Sequence, residues 1–165
     1  MTNDAHANAA LIERFYTAFA RRDAPVMVAC YAPDAHFTDP VFDLSGSEVG
    51  AMWSMLCDRG RDLRLEWRNV RADDATGSAH WEPRYTFSAT GRPVHNIIDS
   101  AFTFKAGLIH THVDTFDLWR WSRMALGTKG ALLGWSPFVR KAIQAQARRG
   151  LDAWMKSHPR ANPTQ

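Results

Sequence analysis

The 165 residues are 45% hydrophobic and 22% charged, enough apolar material for one domain with a sizeable core. No apolar run approaches the ~20 residues that span a bilayer, and Asn3, Asp4, His6 and Asn8 interrupt any apolar stretch at the start, so no signal peptide is expected and the cytoplasm is the default compartment. A net charge of +3 comes from acidic and basic residues mixed along most of the chain, without an RNA-binding or helix-turn-helix signature, so nucleic acid is not an expected partner.

One domain is expected over residues 1–158, with Pro159 to Gln165 as a disordered tail. Asn3 or Asp4 can cap a first helix in which Leu11, Ile12, Phe15 and Phe19 recur at helical spacing, and Arg21-Arg22-Asp23 ends it. Asp23 then caps a short second helix with Pro25 in its first turn and an apolar side of Val26, Met27, Val28, Cys30 and Tyr31. Cys30 and Cys57 both fall in segments that read as helical and lack a Cys-x-x-Cys spacing, so buried free thiols are expected rather than a disulfide or a zinc site. His36 to Pro40 reads as a brief strand on which Phe37 and Asp39 share a face, and the proline marks an edge or an exit. Ser45-Gly46-Ser47 introduces a third helix through Met52, Trp53, Met55 and Leu56, ending near Gly60.

Strands follow. Leu63, Leu65 and Trp67 alternate with Arg64, Glu66 and Arg68, and Ala79, Trp81, Tyr85 and Phe87 alternate with His80, Glu82, Arg84 and Thr86. Pro83 implies a bulge or an edge. After the turn Thr90 to Pro93, residues 95 to 117 read as a hairpin around Lys105-Ala106-Gly107, with Ile97, Ile98, Phe102 and Phe104 favouring a pleated surface. Leu118 to Leu126 continues as strand or helix, Gly127, Gly130 and Gly134 break the chain, and Ser136-Pro137 opens a last helix with Phe138, Ile143, Ala147, Leu151, Trp154 and Met155 on one side. Helices segregated from about four antiparallel strands mean an α+β fold.

The hairpin carries Asp99, His110, His112 and Asp114 on an apolar background, where a carboxylate or imidazole facing inward loses hydration unless it is paired or used. His112 and Asp114 share a face, either as a buried hydrogen-bonded pair or as an acid/base dyad. His110 shares that spacing, but residues two apart on a strand are separated by roughly 7 Å and residues four apart by roughly 13 Å, so one ion takes His110 with His112 and hardly Asp114 as well. No metal is expected. His95 and Asn96 open the hairpin as polar groups of a pocket or of a solvated strand end. Asp39 either caps the turn before Pro40 or supplies a desolvated carboxylate with a raised pKa, suited to a general base near neutral pH. Phe37, Trp53 and Trp81 read as core aromatics that also offer flat surfaces to an aromatic ligand. No nucleophile elbow, P-loop or dinucleotide fingerprint is present, so cofactor-free chemistry fits best.

The stretch Arg14-Phe15-Tyr16-Thr17-Ala18-Phe19, Tyr31-Ala32-Pro33-Asp34-Ala35, Phe37-Thr38-Asp39-Pro40 and Ser45-Gly46 resembles the opening of NTF2-like proteins, nearest to their SnoaL-like polyketide cyclase and ketosteroid isomerase branches. Phe102 and Phe104 around Thr103, Gly107 and the run His112 to Asp117 resemble the closing hairpin of that fold. The resemblance spans most of residues 8 to 120. It implies N-terminal helices packed on a strongly curved antiparallel sheet around a cone-shaped pocket, here with an extra C-terminal helical extension. It places Asp39 where ketosteroid isomerases keep the aspartate that moves the proton, and their oxyanion-holding tyrosine on Phe15, with Tyr16 one step round the helix. Their protonated aspartate falls on Asp99 or, if the Phe-x-Phe pairs are superposed, on Ser100, while Asp114 resembles the acid/base aspartate of the cyclases.

The resemblance therefore implies isomerase or aldol-cyclase chemistry on a small apolar carbonyl or polyketide-like compound. Asp39, Asp114, His112 and Asp99 would be the catalytic groups, and Phe15, Tyr16, Phe37, Trp53, Trp81 and Asn96 would contact substrate. Lyase or hydrolase chemistry, and a non-catalytic pocket or dimerisation module, stay open beside it. The extension carries Trp119, Trp121, Trp135 and Trp154, which need the outer face of the sheet or a second subunit to cover them. A homodimer is expected; contact of a basic amphipathic helix with a membrane surface is the less favoured alternative.

Overall fold

The computed structural model describes residues 3–159, so all of the expected tail except Pro159 lies outside the described residues. α1 (Asn3–Ala20) buries Leu11, Ile12, Phe15, Tyr16 and Phe19 on one stripe. α2 (Ala24–Val28) is capped by the Asp23 carboxylate, which accepts the Val26 amide. It ends before Cys30, so Cys30 and Tyr31 leave the helix to which their apolar character assigned them. Tyr31 instead begins β1 (Tyr31–Thr38), and the cysteines are free and buried. β2 (Asp43–Ser45), α3 (Ser47–Arg59), β3 (Arg64–Ala72) and β4 (Thr76–Phe87) follow. Then come β5 (Arg92–His95), β6 (Ile98–Lys105) and β7 (Leu108–Thr115), with α4 (Leu118–Leu126), α5 (Thr128–Leu133) and α6 (Pro137–Ser157) after them.

All seven strands join one sheet in the order β2-β1-β7-β6-β4-β3, with β5 beside β4. The fold is α+β, and the sheet is mixed where an antiparallel one was expected, because β1 runs parallel to β7. β1 and β7 lie far apart in sequence, so no local turn forces them to oppose one another. Pro83 sits where the second neighbour of β4 changes from β6 to β5, and its carbonyl accepts the Asn96 amide. The β6–β7 connection is Ala106-Gly107, both at positive φ (51° and 74°), a two-residue turn whose twist matches the flanking strands.

α1 and α3 cover one face of the sheet, and the space between them is filled. Phe15, Tyr16, Phe37, Trp53 and Phe102 are fully buried and Trp81 nearly so, with rings mostly edge-on at centroid distances near 5 to 6 Å. The interior expected to be a ligand cone is thus packed with aromatic side chains. A surface depression of about 430 Å³ lies elsewhere, between α1, α2 and α3, lined by Arg21, Arg22, Ser54, Cys57 and Arg61 among others. A second apolar cluster, Val94, Leu118, Trp121 and Ala125 with Tyr85 and Phe87, is where α4 docks on β4 and β5. Among the described residues no helix is long and apolar enough to cross a membrane.

Candidate active site

The inward positions of β6 are Ile98, Ser100 and Phe102, so Asp99 faces outward. The register pairs His80 with Asp99 and Ala79 with Ser100 without a shift, and no bulge turns Asp99 inward. Of the two placements the sequence allows, Ser100 is the interior one, which corrects the expectation for Asp99. The period of two decides this, because adjacent strand residues occupy opposite faces. A bulge does occur on β7. Thr103 pairs with Thr111 but Phe104 pairs with Ile109, so the strand carries extra length at His110. That shift gives Ile109 the inward place and leaves His110 half-exposed, 3.7 Å from Asp34, away from the face of His112.

Inside the sheet a hydrogen-bonded chain converges on Asp114. The Trp53 indole N–H donates to the Tyr31 hydroxyl at 2.9 Å, and that hydroxyl lies 2.6 Å from Nδ1 of His112. Burial, reinforced by Asp114, holds the Tyr31 hydroxyl pKa well above its usual value, so the hydroxyl keeps its proton and donates it to Nδ1. The other ring nitrogen, Nε2, then carries the hydrogen and donates to Oδ1 of Asp114 at 2.9 Å. From the other side the Ser100 hydroxyl donates to the same Oδ1. With its hydrogen so used, Ser100 Oγ accepts from the Tyr16 hydroxyl at 2.8 Å and from the Trp81 indole at 3.0 Å. Burial also pushes the Tyr16 hydroxyl well up, keeping it a donor. Tyr16, one step round α1 from Phe15, therefore reaches the interior. His112 is fully buried, and Asp114 and Ser100 nearly so.

Asp39 stands in the turn between β1 and β2. Its Oδ1 accepts the amides of Val41 and Phe42, both at 2.6 Å, while its own amide donates to the Phe42 carbonyl at 2.9 Å. The carboxylate thus caps its turn and is also desolvated. Burial raises its pKa to about 7 against the two amides, and Asp114 adds to the rise. Among the described residues, Oδ2 of Asp39 and Oδ2 of Asp114 make no hydrogen bond, since every bond to either carboxylate ends on Oδ1. The C-terminal extension closes over this side: the Trp121 indole donates to the Tyr85 hydroxyl at 2.9 Å, and Gln144 donates to the Pro40 carbonyl at 3.1 Å. Tyr85 feels the Asp39 charge, which together with burial raises its pKa. Asn96 is buried on the same face of the chain as Ile98 and Ser100, and its Oδ1 accepts the Ile97 amide.

His95 belongs elsewhere. On the outer face it donates to Glu82 Oε2 at 2.7 Å, while Arg68 donates to Oε1 at 2.7 Å, and His80 bridges Glu82 and Asp99 at 3.1 and 2.7 Å. These partners hold the Glu82 carboxyl down at about 2, His95 contributing most.

The geometry adds Ser100 and Tyr31 to the interior network, and Tyr85 and Trp121 beside Asp39. The alternation Ile98-Ser100-Phe102 carried a signal for Ser100. None was available for Tyr31, whose neighbours read as helix.

The model of the SnoaL-like domain matches residues 12–112, well over half of the chain. The chain belongs to the SnoaL-like domain family. No curated protein matches this SnoaL-like chain in sequence. Among solved structures it is similar to an epoxide hydrolase of the LEH-like type from M. tuberculosis, with TM-score 0.61 and 18% identity over 80% of this chain and 98% of that one. A candidate polyketide cyclase from Xanthomonas campestris gives TM-score 0.61 and 18% identity, covering 74% of this chain and 99% of that one. An NTF2-like protein of unknown function from Burkholderia pseudomallei gives 0.62 and 22%, covering 72% and 97%. At such identities the likeness is one of fold: NTF2-like. A fifth or more of this SnoaL-like chain has no counterpart in these three structures, and the family match ends before α4.

Proposed function

We propose that this SnoaL-like protein is a cofactor-independent acid/base enzyme acting on a small, largely apolar carbonyl or polyketide-like compound. The observation that carries the reading is the pair of desolvated carboxylates, Asp39 and Asp114, each anchored through Oδ1 with Oδ2 unengaged, and close enough for one to raise the pKa of the other. With a pKa of about 7, Asp39 is divided between acid and base near neutrality, where a general base is most effective. Its Oδ2 removes a proton from the carbon next to the carbonyl, and the electron pair of the broken C–H bond moves into the enolate. The proton carried on Asp39 is then returned to the far carbon of the conjugated enolate, re-forming the carbonyl and the free carboxylate, and Asp114, held by His112 and by Ser100 with Tyr16 behind it, is the second carboxyl through which it is shuttled. Asp99 takes no part, being on the opposite face.

A second reading, a non-catalytic binding or dimerisation module, has an observation of its own. The aromatic interior is packed, and the His112 ring nitrogens are both satisfied, as a purely structural network would have them. Solvent-deuterium exchange at the α-carbons of a panel of apolar ketones, followed by NMR, separates the two. The catalytic reading expects exchange that rises with pH to a plateau above about 7 and falls by about 10²–10⁴-fold in Asp39→Asn and in Asp114→Asn. Exchange that survives both substitutions sinks it, and ligand-induced thermal stabilisation without exchange selects the binding module.

A further inference from the structure

α4, α5 and α6 leave their tip uncovered. Leu132, Leu133, Trp135 and Phe138, within seven consecutive residues, are between 54% and 80% exposed, and Trp119 beside them is also exposed. Four large apolar side chains at one turn between two helices are a concentrated patch, unlike the scattered single exposures normal on a soluble surface. The backbone beneath them is fixed. Gly130 and Gly134 lie against Ser122 of α4, and the Trp119 indole donates to the Ala131 carbonyl at 3.2 Å, so the patch is presented by a docked element.

Its charge is equally one-sided. From Leu118 to Leu151 the chain has seven Arg and Lys and no Asp or Glu. Arg148 is neutralised by Glu48 and Asp152, but Arg123, Lys129, Arg140 and Lys141 are exposed on the same run of chain as the patch, Arg123 lying 4.5 Å over the Trp119 ring.

We infer that this tip docks on an anionic lipid bilayer, Trp135, Phe138, Leu132 and Leu133 entering the headgroup region and the four basic side chains meeting anionic headgroups. The pairing of Trp, Phe and Leu with Lys and Arg is what the interface rewards: apolar burial plus attraction to negative lipid. A second copy of this chain is disfavoured as the occupant, because a two-fold interface would lay this acid-free surface on itself. Nucleic acid offers the charge but no apolar phase for two leucines and a phenylalanine.

The test is flotation of the full chain with vesicles of phosphatidylcholine alone or with phosphatidylglycerol, at low and high salt, with tryptophan emission recorded. Expected are binding and a blue shift with the anionic vesicles only, weakened at high salt. Trp135→Ser/Phe138→Ser should bind at least about tenfold more weakly, in line with ~0.8 kcal/mol per buried CH₂. Lys129→Glu/Arg140→Glu/Lys141→Glu should lose about a hundredfold, as each basic residue near an anionic leaflet contributes about fivefold. All five positions are solvent-exposed, and an unchanged circular dichroism melt confirms that the variants fold. Failure to float with anionic vesicles overturns the inference. So does equal binding to neutral ones, or a dimer in sedimentation that the Trp135→Ser/Phe138→Ser variant dissolves.

Discussion

Oδ1 of Asp39 accepts two backbone amides, which would ordinarily hold a carboxyl below its usual pKa, yet desolvation outweighs them and the group settles at about 7. The consequence for stability has a definite sign. Between the ordinary value of 3.8 and about 7 the folded protein keeps this proton while the unfolded chain has lost it. Stability from this group is therefore full below about pH 4, falls as pH rises to about 7, and is level above that. Asp39→Asn retains an oxygen for both amides and has no proton to lose. Its melting temperature is expected to exceed that of the parent at pH 8 and to match it near pH 4; a parallel shift at all pH values would contradict the desolvation argument. Much about Asp39 is legible in the sequence, since Asp-Pro after a strand marks the turn. That the capping carboxylate is also desolvated is not legible locally, because its surroundings include Tyr85, close enough to feel its charge, and Gln144 on the Pro40 carbonyl, which arrive from remote parts of the chain.

At the scale of elements, register governs which side chains meet. The alternation along β6 places Ser100 inward as soon as the pairing of Ala79 with Ser100 is known, and Asp99 joins His80 and Glu82 outside. His110 shows the limit of alternation, because extra length on β7 reverses which residues face in and leaves no mark in residue type. Glycine carries information of another kind. A Cβ on Gly130 would lie 2.0 Å from the Ser122 carbonyl oxygen, and backbone cannot swing aside as a side-chain tip can. Gly130→Ala is expected to cost about 3 kcal/mol or more in the docking of α5, the upper end for overpacking. Limited proteolysis should then cut between residues 127 and 136 before the sheet unfolds. Gly77→Ala meets Ile12 and Phe104 side-chain ends at 2.8 and 2.9 Å, which can yield, so its effect should be smaller and spread over the α1 packing. The sequence shows Gly130 as a break in the chain, and its contact with Ser122 comes only from the packing.

For the whole molecule, the SnoaL-like domain and its extension share one site edge. α4 covers Val94, Tyr85 and Phe87, and α6 reaches the Asp39 turn through Gln144. Removal of residues 118–165 should expose that apolar cluster, raise binding of a hydrophobic dye, and return the Asp39 carboxyl toward its ordinary range, because burial is the largest cause of its shift. The check is the pH profile of the melting temperature, in which the fall between about pH 4 and 7 should shrink; an unchanged profile would place the desolvation within the core domain alone. Local pattern by itself determined α1, α3, α6 and the start of α2, most strand positions, the buried free thiols and the α+β class, since periodicity and caps are properties of neighbours in sequence, while it left 118–126 open between strand and helix. Tertiary structure alone decided the parallel pairing of β1 with β7, the inward turn of Ser100 in place of Asp99, the filling of the interior and the convergence of Trp53, Tyr31, His112, Ser100 and Tyr16 on Asp114. Those outcomes depend on strand register and on contacts between residues up to 84 positions apart, as between Tyr16 and Ser100, and no window of the sequence contains both partners.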